Sequence, residues 1–308
     1  MAAPGWWRLE IDGAGDLEES LLWKLPELGI VRVAVQHSPH TPDRRQLLAW
    51  LPESDWPDGQ RRELERALAP LAEPFGVPLP PLRWHRQPEE DWNLSWKRHW
   101  QPDPVGERLL ILPAWLEAPA DQAARLLIRM DPGSAFGTGS HPTTRLCLEA
   151  LEAEAAARGG SLAGLRVADL GCGSGVLGLA ALRLGAAAVA AVDSDSLAVR
   201  ATTANADLND LGAAITVAHG SADRLADLLA GRPADLLLCN ILAPVIEALA
   251  PAFAALLAPA GRGLLSGLLV DQAPALAAVL AGHGWRAELV ASQDRWGLMT
   301  LESPADVP

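Results

Sequence analysis

Beyond residue 165 the chain alternates apolar, strand-like runs with Ala/Leu-rich helical stretches, and this alternation restricts the fold more than any other feature. The runs are RVADLG, AVAAVD, ITVAHG, ADLLLCN and RGLLSGLL, followed by WRAELVAS and WGLMTLE. Helical stretches separate the first five. That is the grammar of parallel βαβ units, because parallel neighbours need a long crossover. Runs with hardly a polar residue suit a sheet covered on both faces. Only a short turn joins the last two runs, which predicts an antiparallel edge. The expectation is an α/β unit with a seven-stranded, mostly parallel sheet.

The first part of the chain follows a different pattern. WWRLEID reads as a strand and DLEESLLWKLPELG as a helix. IVRVAVQ and RQLLAWLP read as strands separated by a His-Pro-rich turn. DGQRRELERALAPLAEPFG is a second amphipathic helix, with Asp58 as its expected cap and Gly76 at its close, and PPLRWHRQ is a final strand. The order β-α-β-β-α-β predicts a small α+β, ferredoxin-like domain over residues 1–87. Residues 88–104, PEEDWNLSWKRHWQPDP, form a polar, Trp-rich connector bounded by prolines, read either as the linker or as a loop or helix capping the second domain. That second domain spans residues 105–308 and is entered through GERLLILPAW and ARLLIRM.

Composition narrows the class. With 49% hydrophobic and 20% charged residues the chain has ample core material. A net charge of −13 without a basic stripe suits a basic protein partner better than bare nucleic acid. Cys147, Cys172 and Cys239 show no metal-ligand spacing, so no metal is expected and a reducing, cytoplasmic setting is. The start, MAAPGWWRLEIDG, has no basic stretch followed by an apolar one, so no secretory signal is expected. Pro244, Glu247 and Pro251 interrupt the apolar run 243–258, and no membrane span is expected.

The chemistry concentrates where strands end. VADLGCGSGVLGLAAL carries Asp169, then Gly171, Gly173 and Gly175, then a helix starting near Val176. Glycines let the backbone turn and approach a ligand, and the helix amino terminus beyond favours an anion. The spacing G-x-G-x-G differs from the G-x-G-x-x-G of dinucleotide sites. Asp169 is placed to meet the ammonium of a methionine moiety. Asp193 ends the next strand, where a carboxylate accepts hydrogen bonds from ribose hydroxyls. Asp195 competes for that role and also reads as a helix cap. Asp223 reads equally as an adenine contact or a cap. The segment MDPGSAFGTGSHPTTRLCLEAL, 130–151, places Phe136 among glycines as an apolar wall, then Thr143 and Thr144 at a helix start. It also reads as a plain turn and cap. Asn240 falls at the carboxyl edge of the fourth strand, either as a site residue or as the cap of the next helix. His141, a lone histidine, reads as structural.

Taken in order, DPGSAFGTGSHPTT, DLGCGSG, VDSD and NILA resemble the ribosomal-protein L-11 methyltransferase family. DWNLSWKRHW, GERLLILPAW and LSGLL at 265–269 resemble it too, so the likeness runs from Asp91 to Leu269, while residues 1–87 match in element order alone. The resemblance implies a class I Rossmann-like methyltransferase domain behind a substrate-recognition domain, with S-adenosylmethionine as cofactor. It implies methylation of lysine side chains and of the terminal α-amine of large-subunit ribosomal protein eleven. By position, cofactor contacts fall on Thr144, Gly171, Asp193 and Asn240. Ser140 and Ser196 depart from the family's usual residues.

The first rival is a nicotinamide-dependent oxidoreductase, which the glycine spacing and the absence of Tyr disfavour. The second is a methyltransferase acting on a different protein, on glutamine or adenine, or on a small molecule. Methyltransferases of planar nitrogens often carry Asn-Pro-Pro-aromatic where this chain has NILA. The third is a cofactor-binding module without turnover. Catalysis by the favoured reading is positioning and exclusion of water, with Asn240 orienting the amine.

Overall fold

The computed structural model describes residues 5–12, 17–30, 32–38, 41–87, 100–131 and 141–303. Most of the expected connector, together with Phe136 and Ser140, lies outside the described residues. The chain divides into two compact units, with Gln101 in the first and Pro102 in the second.

The first unit runs β1 (Trp6–Asp12), α1 (Glu18–Glu27), β2 (Val33–Ser38), β3 (Thr41–Pro52), α2 (Asp58–Leu68) and β4 (Leu82–Gln87). The sheet order is β2-β3-β1-β4, with every pair antiparallel. That is the ferredoxin-like arrangement: each helix carries the chain across one strand, so the second-placed strand is threaded between two others. Leu9 and Ile11 on β1, Leu47 and Leu51 on β3 and Leu21 and Leu25 on α1 are among its buried side chains. Two local readings change. Pro57, not Asp58, stands at the α2 cap position, so Asp58 is already inside the first turn. Past Leu68 the helix tightens to a 3-10 form through Ala69–Phe75, where Pro70 and Pro74 forbid regular α hydrogen bonds, and Gly76 closes it at φ +62.

The second unit opens with a three-stranded sheet: β5 (Asp103–Val105), β6 (Leu109–Pro113) and β7 (Leu126–Met130). β5 occupies the end of the stretch read as connector, hidden there by its proline and its three-residue length. Next come α3 (Pro142–Ala157), β8 (Arg166–Leu170), α4 (Val176–Arg183), β9 (Ala188–Asp193), α5 (Ser196–Leu208), β10 (Ile215–His219), α6 (Ala222–Leu229) and β11 (Ala234–Asn240). After α7 (Ala243–Leu249) and the short α8 (Phe253–Leu256) come β12 (Leu257–Leu269), α9 (Ala273–Gly282), β13 (Arg286–Gln293) and β14 (Trp296–Glu302).

The seven-stranded sheet has the order β10-β9-β8-β11-β12-β14-β13. β8 to β12 are parallel, and β14 inserts antiparallel between β12 and β13. The first three strands step outward to β10 and the chain then crosses back to β11. The order therefore reverses between β8 and β11, where open α/β sheets leave a crevice at the strand carboxyl ends. The core on one face joins Leu170, Leu225, Leu237, Cys239, Ile246, Phe253, Leu265, Leu276 and Leu280, all buried.

Candidate functional site

The glycine turn leaves β8 at that reversal point. Gly171, Gly173 and Gly175 take φ of +81, +56 and +84, the left-handed region that L side chains avoid. At Gly175 space is lacking too: a Cβ would lie 2.8 Å from Cγ2 of Thr202 on α5. The turn is held from several sides. Gly171 and Cys172 donate their N–H groups to the Val192 carbonyl at 2.9 and 3.0 Å. Gly173 N–H donates to Asp193 Oδ2 at 2.9 Å.

Asp193, at the end of β9, is therefore prepositioned. Its other oxygen, Oδ1, accepts from Asp195 N–H at 2.9 Å. Burial raises the Asp193 pKa, and the N–H groups of Asp195 and Gly173 oppose the rise. Asp195 is the cap of α5, its Oδ1 accepting from Leu197 N–H at 2.8 Å. Asp169 is 1% exposed, and its Oδ2 accepts from Gly178 N–H at 3.0 Å, binding β8 to the first turns of α4. Burial lifts its pKa to about 7; the Gly178 bond works against that shift and the charge of Asp193 adds to it.

Asn240, 7% exposed, ends β11, the strand paired with β8. Its Nδ2 donates to Thr144 Oγ1 on α3 at 3.3 Å. Among the described residues its Oδ1 is a buried acceptor without a hydrogen bond. An acceptor removed from water and left unmade costs about 1–3 kcal/mol, so it marks a place for a donor from outside the chain. The next residue, Ile241, packs where a Gly171 side chain would go. Behind it, Gly267 of β12 has φ +84, and a Cβ there would stand 2.6 Å from the Ile241 carbonyl carbon. Only glycine lets β12 pass under this turn, a demand invisible in LSGLL itself.

The structure thus brings Asp169, Gly171, Gly173, Asp193, Thr144 and Asn240 to one edge of the sheet. His141 caps α3, its Nδ1 accepting from Thr143 N–H at 3.3 Å, with its ring edge-on to Trp296 at 4.8 Å. Asp223 is exposed in the first turn of α6, where Ser221 holds the cap position. Sequence reasoning missed the polar face of α5 formed by Thr202, Asn205 and Asn209, at most 2% exposed. The signal was available in TTANADLND, whose polar residues recur at i, i+3 and i+7, the spacing of one helix face.

A cofactor fits this arrangement. The glycine turn brings backbone without side chains to the carboxyl edge of the sheet, and Asn240, at the end of the neighbouring strand, holds an unused acceptor. No described helix is long and apolar enough to cross a membrane.

Comparison with known proteins agrees with the geometry. The model of the family described as ribosomal protein L11 methyltransferase matches residues 5–303. A protein of that name from Synechococcus sp. (strain RCC307) is 65% identical over 301 residues, covering 98% of each chain. One from Parasynechococcus marenigrum (strain WH8102) is 65% identical, covering 93% of this chain and 98% of the relative. A crystal structure of a ribosomal protein L11 methylase from Lactobacillus delbrueckii subsp. bulgaricus superposes with a TM-score of 0.56 at 30% identity, covering 66% of this chain and 99% of that one.

Proposed function

We propose, from the premise that this chain belongs to the ribosomal protein L11 methyltransferase family, that it transfers methyl groups from S-adenosylmethionine to lysine side-chain and N-terminal amines of large-subunit ribosomal protein eleven. One observation carries the reading: the buried, unpartnered Oδ1 of Asn240 beside the glycine turn at the point where strand order reverses.

Thr144, Gly171, Asp193 and Asn240 hold the cofactor, with Gly173 and Asp169 completing the wall and Phe136 supplying an apolar contact. The cofactor supplies a methyl group already activated on a sulfonium. The chain's own work is to position and desolvate the acceptor. A free lysine amine, with a pKa near 10.4, must lose its proton before it attacks, and burial in an apolar pocket favours the neutral form. Asn240 Oδ1 accepts a hydrogen bond from the acceptor amine and so directs its lone pair. Residues 1–87 select the protein substrate, the connector after them links, and the second unit, entered at Pro102, catalyses, in the cytoplasm.

The test is to incubate the purified protein with methyl-labelled cofactor and a cell extract, and to locate the label by mass spectrometry. Label is expected on lysines and the terminal amine of ribosomal protein eleven. Label in RNA, in another protein, or in no macromolecule would overturn the substrate assignment.

A further inference from the structure

The polar face of α5 does something that an apolar face could not. Asn209 uses both halves of its amide on one residue of β7: Oδ1 accepts from Arg129 N–H at 2.9 Å and Nδ2 donates to the Arg129 carbonyl at 2.7 Å. It thereby replaces one rung of a missing neighbour strand on the open edge of the small sheet. Four residues earlier, Asn205 repeats half of the pattern two residues further along. Its Oδ1 accepts from Asp131 N–H at 3.0 Å. Its Nδ2 turns the other way, donating to the Ser174 carbonyl inside the glycine turn at 2.9 Å. One turn further toward the start of α5, Thr202 Oγ1 donates to the Gly173 carbonyl at 2.9 Å and to Cys172 Sγ at 3.3 Å.

Asn and Thr are poor helix formers, and burying their polar atoms costs free energy unless each is bonded. A leucine at 205 would serve packing and helix propensity better. The amide instead specifies two backbone groups far apart in sequence. Asp131 is the last described residue before the 132–140 segment, which leads into α3 and Thr144.

We infer that Asn205 is a positioning residue that couples the cofactor-binding glycine turn at Ser174 to the backbone just past β7 at Asp131, so that fixing either one fixes the other. The inference rests on the cofactor reading above, and it assigns Asn205 no contact with the cofactor. Because one amide bonds both groups, fixing Ser174 by binding transmits to Asp131.

The test uses the full chain and S-adenosylhomocysteine as ligand, with three readouts: Tm, Kd by calorimetry, and amide exchange of peptides ending at Asp131. In the wild type the ligand should slow exchange at Asp131. Asn205→Leu should lower Tm, because the buried Ser174 carbonyl loses this donor, and should bind about tenfold more weakly, with exchange at Asp131 no longer responding to ligand. Asn205→Asp keeps the acceptor for Asp131 and loses the donor to Ser174, so affinity should fall while the unliganded protection of Asp131 persists. Asn209→Ala, which loosens β7 but leaves Ser174 held, should lower Tm with Kd within about threefold. Variants that bind as tightly as the wild type, or a wild type whose Asp131 exchange ignores the ligand, would overturn the coupling; the latter outcome decides the matter even if both Asn205 variants fail to fold. A wild type that binds no ligand at all would instead sink the cofactor reading, and this inference with it.

Discussion

The two ends of the seven-stranded sheet handle polar side chains in opposite ways. At the amino-terminal ends of β11 and β12 the charges close on one another. Arg262 reaches both Glu154 of α3 and Glu302 of β14, Arg286 meets Glu302, and Arg158 adds a longer contact to Glu154. At the carboxyl ends the polar groups are fixed mostly by backbone N–H groups, and among the described residues the Asn240 Oδ1 acceptor stays unmade. The first arrangement holds the structure together. The second tolerates desolvation that a bound molecule can relieve, the usual mark of a functional site.

Removing a group at the open end should damage binding more than folding. The largest effect is expected for Asp193→Ala: loss of a carboxylate prepared for two hydroxyls should weaken cofactor binding about 100-fold, close to two charge-assisted hydrogen bonds. Calorimetry with S-adenosylhomocysteine decides it, and unchanged affinity would remove the ribose role. Asn240→Ala should cost roughly tenfold in kcat/KM while the unliganded Tm holds or rises, because the unmade acceptor disappears with the side chain. Full turnover in that variant would show that Asn240 does not orient the amine.

Asp169 links the comparison to pH. Its folded pKa is raised from 3.8 to about 7, so between those values the folded chain binds the proton that the unfolded chain has released. This contribution to stability is full below about pH 4 and lost as pH rises toward 7. Asp169→Asn, whose Oδ1 can still accept from Gly178, should therefore gain Tm over the wild type at pH 8 and little at pH 4. If Asp169 meets the cofactor ammonium, wild-type affinity should also weaken as pH falls below about 7. A Tm difference that is flat with pH would refute the first statement, and flat affinity the second.

The smallest effect belongs to the closed end. Arg262→Met strips Glu154 of its nearer partner, but the arginine side chain is 40% exposed and Arg158 remains. A loss on the order of 1 kcal/mol, about 2–4 °C in Tm, is expected with cofactor affinity intact. A binding defect there would break the contrast between the two ends.

Much of the fold was legible. WWRLEID and WGLMTLE each cover an observed strand from end to end, because alternating or continuous apolar runs report burial directly. Asp195 was readable as a cap, since a cap needs only its own neighbours. Asp58 misled because Pro57 stands before it and supplies the start. β5 was missed because three residues containing a proline carry no period. In the site, the positions of Asp169, Asp193 and Asn240 followed from strand ends. Most of their bonds did not, because Gly173, Gly178 and Thr144 come from other segments; the Asp195 N–H, two residues past Asp193, is the local exception.

The sequence alone determined what depends on local pattern and short spacing: the order of strands and helices, the glycine turn, the acids at strand ends and the motif series that the family shares. Tertiary structure decided which side of each residue matters. It alone set the order reversal between β8 and β11, and it left Asn240 with an unused acceptor. It also placed the backbone of Ile241 against Gly267 and stretched Asn205 between Ser174 and Asp131. The physical reason is that a hydrogen bond or a close approach belongs to two groups at once, and these partners lie dozens of residues apart.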